Sequence, residues 1–313
     1  MEERLGIGLI QIDPATGAGW RAGEIRDVAR AAEDAGFDGI FCAEVNNDAI
    51  AAALIMGLAT SRLKVGTWVA HIYLRLPYLC AKEAVAAADA TGGRFILGLG
   101  VSHQPVNRAL GIDMPNPSAA LRDYATEVAS WLRGNGPPTH LPQHSSPYPV
   151  PIYLAALTSQ NVELAGEIAD GVMPVWWSAE RVQRSKRWID RGRARSAGRG
   201  KLEITLGLPT YVGNDIDALR AAARANPGIF TGMPFFRRLM RASGFVEEAN
   251  KAEAGVGAEA LSDRLLDAIC LLGPVERCRD RLAEYREAGL DLPILWPAMG
   301  VDSARQVIAA FAQ

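Results

Sequence analysis

Short apolar runs alternate along the chain with longer stretches whose apolar residues recur at helical spacing. The run at 5–12 predicts a strand, and Ile25, Val28, Ala29, Ala32 and Ala35 then line one helical face that stops at Gly36. The unit repeats: FDGIFCAE (37–44), RLKVGTWVA (62–70) and RFILGLG (94–100) read as strands, with helices over 49–60 and 77–92 between them. A helix over about 118–133 follows, and then PIYLAAL (151–157), a helix to Asp170, GVMPVW (171–176), a basic helix ending near Ala197, and KLEITLGLPTYV (201–212). The chain closes with a helix over 274–288, LPILWP (292–297) and a helix over 302–312. Strands beginning near 5, 38, 62, 94, 152, 171, 202 and 292 make eight. Strands separated by helices pair in parallel through crossovers, so the pattern predicts a closed (β/α)8 TIM barrel, one α/β domain over 1–313. The mostly helical, irregular stretch 214–263 reads as an insertion before the last strand. An open doubly wound sheet is the alternative, but no strand is followed at once by GxGxxG, and GLGVSH has the wrong spacing.

Charge narrows the choice of partner. With 33 Lys plus Arg against 35 Asp plus Glu and a pI near 6.1, the chain has no overall attraction for nucleic acid or an anionic membrane. The one basic run, RVQRSKRWIDRGRARSAGRGK (181–201), holds a single aromatic, Trp188, and is expected to be the solvated outer face of a barrel helix. Cys42, Cys80, Cys270 and Cys278 form no CxxC pair, which predicts reduced thiols without disulfide or zinc. No apolar run approaches about 18 residues and the N-terminus lacks a signal core, so no membrane span and a cytoplasmic location are expected. His140 and His144 stand four apart, but the prolines of GNGPPTHLPQHSSPYPVP (134–151) keep them off one helical face, predicting a surface loop in place of a metal site.

AAEDAGFDGIFCAE, TSRLKVGTWVAHIYLRLP, AADATGGRFILGLGVSH and LAGEIADGVMPVW, in this order and spacing, resemble the luciferase-like monooxygenase superfamily, and within it the coenzyme F420-dependent oxidoreductases. The tail SDRLLDAICLLGPVERCRDRLAEYREAGLDLPILWP resembles the closing portion of the same family. The likeness covers nearly the whole chain and is strongest at 25–115 and 150–176. It implies F420, or alternatively FMN, at the C-terminal mouth of the barrel and hydride exchange with a small organic substrate. An FMN-dependent monooxygenase would need a separate reductase, and an inactive cofactor-binding member is a third reading. A homodimer is open to all three.

The strand ends supply candidate residues. Glu44, Asn46 and Asn47 follow strand two, where a carboxylate and amides suit a site or a helix cap. Many F420 relatives carry histidine after the acidic residue, and Val45 stands there in this chain. The likeness places a non-proline cis peptide between Trp68 and Val69, beneath the cofactor ring, at a position where relatives have a small residue before the bond. Trp68 is thus expected to fill space under the ring or displace it. His71 and Tyr73 lie just beyond, and Arg75 reads either as a phosphate contact or as an ion pair. Gly98 and Gly100 allow close backbone approach, and Val101, Ser102 and His103 then reach the mouth. His103, with Glu44, is the expected acid–base group. Ala156, Leu157, Thr158 and Ser159 lead into a helix whose N-terminus suits a phosphate or is capped in the ordinary way. At least one of Trp176 and Trp177 is expected at the mouth, and Phe230, Met233, Phe235 and Phe236 are expected to cover a pocket or a dimer surface.

Overall fold

The computed structural model describes residues 3–135, 146–196, 198–225 and 231–313. His140, His144 and Phe230 lie outside the described residues. Strand β1 (Gly6–Leu9) leads to α1 (Ala22–Asp34), β2 (Gly39–Cys42) to α2 (Ala49–Ala59), and β3 (Lys64–Thr67) through the short β4 (Ala70–His71) to α3 (Pro77–Ala90). Next come β5 (Phe95–Gly100), α4 (Gln104–Ala109) and α5 (Pro117–Leu132), then β6 (Ile152–Leu154), α6 (Ser159–Ile168), β7 (Gly171–Val172) and α7 (Ala179–Arg193). The long β8 (Glu203–Val212) is followed by α8 (Ile216–Ala225), α9 (Pro234–Ala242), α10 (Val246–Glu253) and a 3-10 turn at Gly257–Ala260. The chain ends with α11 (Asp263–Ile269), β9 (Leu271–Gly273), α12 (Val275–Glu287), β10 (Leu292–Trp296) and α13 (Val301–Ala310).

Strands β10, β1, β2, β3, β5, β6, β7 and β8 run side by side, and β8 returns to β10 from Thr205↔Leu292 to Pro209↔Trp296. All of these ladders are parallel, so the ring is the eight-stranded TIM barrel expected from the alternation. Two short strands escape the sequence pattern. Strand β4 pairs with β5, and β9 pairs with the last three residues of β8. Leu271–Gly273 is too short to show any period, so the helical excursion after β8 runs beyond 263 to α11 and β9.

The ring interior is built on glycines that yield space to large side chains. A Cβ at Gly207 would lie 2.1 Å from Trp68 Cζ2, and one at Gly8 would lie 2.9 Å from Trp68 Cε3. Trp68 also meets Trp296 edge-on, with centroids 5.3 Å apart and planes at 84°. The indole from β3 therefore crosses the lumen to β1, β8 and β10, immediately below the mouth. Phe41 fills the next layer down, over Gly6, Gly39 and Gly66. Trp68 thus points into the barrel and plugs its upper lumen. The four cysteines are buried free thiols, and among the described residues no helix is long and apolar enough to cross a membrane.

Candidate active site

The C-terminal ends of β2, β3, β5, β6 and β7 converge on one mouth, the position where parallel barrels place their chemistry. The bond between Trp68 and Val69 is cis, at the place the family likeness singles out. Val69 packs over Gly100, where a Cβ would lie 2.4 Å from Val69 Cγ2. Ser102 and Trp176 follow β5 and β7 with φ of 60°, in the left-handed region that a non-glycine residue seldom adopts.

Glu44 is buried but does not present a free carboxylate. Arg75 clamps both its oxygens, with the Nη1 to Oε2 bond at 2.9 Å, and the His71 backbone N–H donates to Oε2 at 2.5 Å. Arg75 also reaches Asp48 at 2.7 Å and Glu83 at 3.2 Å, so it takes the ion-pair role and not a phosphate contact. Burial opposes charge on Arg75, yet the three carboxylates together raise its pKa. The expected proton-transfer role for Glu44 gives way to bracing the strand-three loop. Asn46 and Asn47 are spent in a similar way. Asn47 accepts from the Trp20 N–H and donates to the Trp20 carbonyl, both at 2.9 Å, while Asn46 donates to the Gly17 carbonyl. Asp48, not Asn47, caps α2 by accepting from Ala51 N–H at 2.8 Å. Val45 is exposed.

His71 and His103 are the titratable pair of the mouth. Burial lowers the pKa of each, and a charge on His71 further disfavours a proton on His103. For His71, Glu44 partly offsets the cost of burial. Both shifts favour the neutral imidazole. His71 Nδ1 and the Tyr73 hydroxyl are buried without a hydrogen-bond partner among the described residues. Above them, Phe236 of α9 lies 5.7 Å from the His103 ring and 4.8 Å from the Trp176 ring, between centroids. Trp176 thus faces the mouth, whereas Trp177 turns the other way onto Trp188, 6.5 Å between centroids.

At the end of β6, Ala156 is buried, Leu157 is half-buried, and Thr158 and Ser159 are exposed in front of the first turn of α6. The Thr158 hydroxyl caps the helix by accepting from Asn161 N–H at 3.3 Å. This cap leaves the remaining N-terminal amides directed outward, as an anion requires.

Arg181 departs from the solvated helix face expected for the basic run. It is buried, and it donates to the Leu157 carbonyl at 2.8 Å. The spacing of Arg181, Ser185, Trp188 and Gly192 places all four on the buried side of α7, a signal the sequence carries.

Known proteins share this architecture. The family model described as luciferase-like monooxygenase matches residues 7–292. A Mycobacterium tuberculosis protein named as a coenzyme F420-dependent oxidoreductase is 30% identical over 309 residues, covering 86% of this chain and 89% of the relative. The 5,10-methylenetetrahydromethanopterin reductase of Methanolobus tindarius is 25% identical over 326 residues, covering 96% of each chain. Among solved structures, the coenzyme F420-dependent tetrahydromethanopterin reductase of Methanopyrus kandleri superposes with a TM-score of 0.78 at 20% identity, over 98% of this chain and 97% of that one.

Proposed function

The chain belongs to the luciferase-like monooxygenase family, and from that premise we propose that it is an F420-dependent oxidoreductase exchanging hydride with a small organic substrate. The observation that carries the reading is the half-buried pair His71 and His103 at one barrel mouth, in a chain matched along most of its length by an F420-named relative. The residues fit a deazaflavin. Unpartnered His71 Nδ1 and the Tyr73 hydroxyl offer polar contacts, and the Val69–Gly100 contact leaves a close-packed floor for a flat ring. Backbone around Gly100, Val101 and Ser102, together with Ala156 and Leu157, would flank that ring, and Thr158 and Ser159 would hold its phosphate.

When bound, F420 supplies or accepts a hydride at a ring carbon, without the nitrogen that makes flavins reactive toward oxygen. The protein's part is to handle the accompanying proton. A neutral His103 accepts a proton from a substrate hydroxyl as the hydride departs, and the resulting imidazolium returns it in the opposite direction. Glu44 acts at one remove: through Arg75 and the His71 N–H it fixes the loop that carries His71. Phe236 covers His103 and keeps water from the proton path. Next to the mouth, the exposed residues Gln104, Pro105, Arg108, Ala109 and Pro234 line an open surface groove of about 450 Å³.

Cofactor fluorescence tests the reading. Titration with F420 should give saturable one-site binding, tighter than binding of FMN. Tight FMN binding with no detectable F420 binding would overturn it in favour of a flavin monooxygenase.

A further inference from the structure

Val101, Ser102 and His103 join β5 to α4, and one residue holds both ends of that turn. Asn107, within α4, is fully buried. Its Nδ2 donates to the Val101 carbonyl at 2.9 Å, and its backbone N–H donates to the His103 carbonyl at 3.0 Å. Between those two carbonyls stands Ser102, at φ of 60°. The left-handed region is unfavourable for a residue with a Cβ, which stays there only where the surroundings over-determine it. Glycine at this position would adopt the turn unaided. Serine makes the turn depend on Asn107.

Helix α4 cannot fix the turn by its own stability. It has six residues, with a proline in its first turn, and so short a helix does not persist in isolation. Its position comes from tertiary ties, and Asn107 is where they meet. Besides the two bonds to the turn, Nδ2 lies 2.8 Å from Met114 Sδ, and the Asn107 carbonyl accepts from the Ile112 N–H at 2.8 Å. The end of β5, the helix and the segment leading to α5 thus converge on one side chain. Its Oδ1 is buried without a donor among the described residues. An amide that is paired on one side and desolvated on the other adds little net stability, so the bond to Val101 is chiefly a constraint on geometry.

We propose that Asn107 is a positioning residue for His103: by gripping the carbonyls on either side of Ser102 it locks the left-handed turn and so fixes where the imidazole stands at the mouth. The inference rests on the reading that His103 handles the proton. Were Ser102 to relax into the ordinary region, its φ would change by roughly 120°, and the chain would leave β5 in another direction. The His103 ring would then leave its place 5.7 Å from the Phe236 ring. Two buried side chains therefore brace one imidazole each: Glu44 holds the loop of His71, and Asn107 holds the turn of His103.

The test reads His103 itself, by NMR of ligand-free protein carrying isotopically labelled histidine, with its signals assigned by their loss in His103→Ala. In the parent, the His103 ring protons should be displaced by the Phe236 ring current and should titrate below 6.5. Asn107→Leu keeps the volume and removes the donor, and Asn107→Ser keeps a hydroxyl too short to reach Val101. In either variant His103 should lose most of the displacement and titrate closer to 6.5, while His71, braced through Glu44, changes less. Adding Ser102→Gly to each should bring the His103 signals back toward those of the parent, because glycine takes the turn without help. A role in packing alone would not respond to residue 102. Unaltered His103 signals in a folded Asn107 variant would overturn the proposal. So would equal changes at His71 and His103, or a double variant no closer to the parent than the single one. Should both Asn107 variants fail to fold, with no rescue by Ser102→Gly, Asn107 is merely structural and the proposal falls. No cofactor enters the measurement, so a parent whose His103 behaves as described but which binds no F420 would fail the functional reading alone.

Discussion

His103 owes its chemistry to where β5 ends. Burial and the neighbouring His71 hold its pKa below the ordinary value of 6.5, so near pH 7 it is a base ready to take a proton. His103→Ala should slow the chemical step on the order of 10²- to 10⁴-fold while cofactor affinity stays within a few-fold, as single-turnover mixing will show. The sign of the pH dependence follows from the same shift. In the direction that oxidises substrate, the rate should be level around neutrality and fall only as pH drops through a value below 6.5, where the imidazole becomes charged. A break above 6.5 would assign the proton to another group. At this scale the sequence reveals which polar residues stand at strand ends but not which are already engaged. Glu44 is legible as a strand-end carboxylate, whereas its capture by Arg75 from the far side of β3 requires the folded loop. Asn46 and Asn47 likewise read as site amides until the 17–20 turn is folded against them.

At the level of elements, the exchange of volume between Trp68 and the glycines of β1 and β8 decides whether the barrel closes well. Adding one methyl at Gly207 forces it against the indole at 2.1 Å, so Gly207→Ala should cost about 1–3 kcal/mol in urea unfolding. Trp68→Leu should cost about 3–5 kcal/mol through the cavity it opens. Combined, the two should cost less than their sum, because the added methyl then enters vacated space; strict additivity would show that Trp68 does not reach β8 in solution. Both glycine and tryptophan are plain in the sequence, but the contact joins strands far apart in the chain and leaves no local trace. Helix α7 is the opposite case: the spacing of Arg181, Ser185 and Trp188 announces a buried face, which the abundance of positive charge over 181–201 hides.

For the whole molecule, the ring was legible because each amphipathic helix separates two short apolar runs, a rhythm that a parallel barrel imposes. Among the described strands, β4 is hidden because it continues the run read as strand three, and β9 because it lies between two helices with no apolar run of its own to either side. The fold's charges also set its response to acid. His71 and His103 have lowered pKa values in the folded chain, so protons favour the unfolded state, and stability should begin to decline as pH falls through about 6.5. A second decline belongs to Glu167, whose pKa is held down to about 2 chiefly by its hydrogen bond to Arg122 and then by Arg195, tying α5 and α6 to the turn that follows α7. Its contribution is complete above the ordinary 4.5 and disappears as pH approaches 2. Because these side chains are partly solvated, it amounts to about 1 kcal/mol or less. Urea midpoints measured against pH should show both declines, with Glu167→Gln flattening only the second. The pairing of β9 with the end of β8 has a different kind of consequence. Val212 and Gly273 share one rung, so the excursion between them leaves and rejoins the ring at neighbouring points, about 4.8 Å apart. An exchange of that cassette for a longer or shorter one would leave the barrel closed but would also replace Phe236, the ring packed on His103.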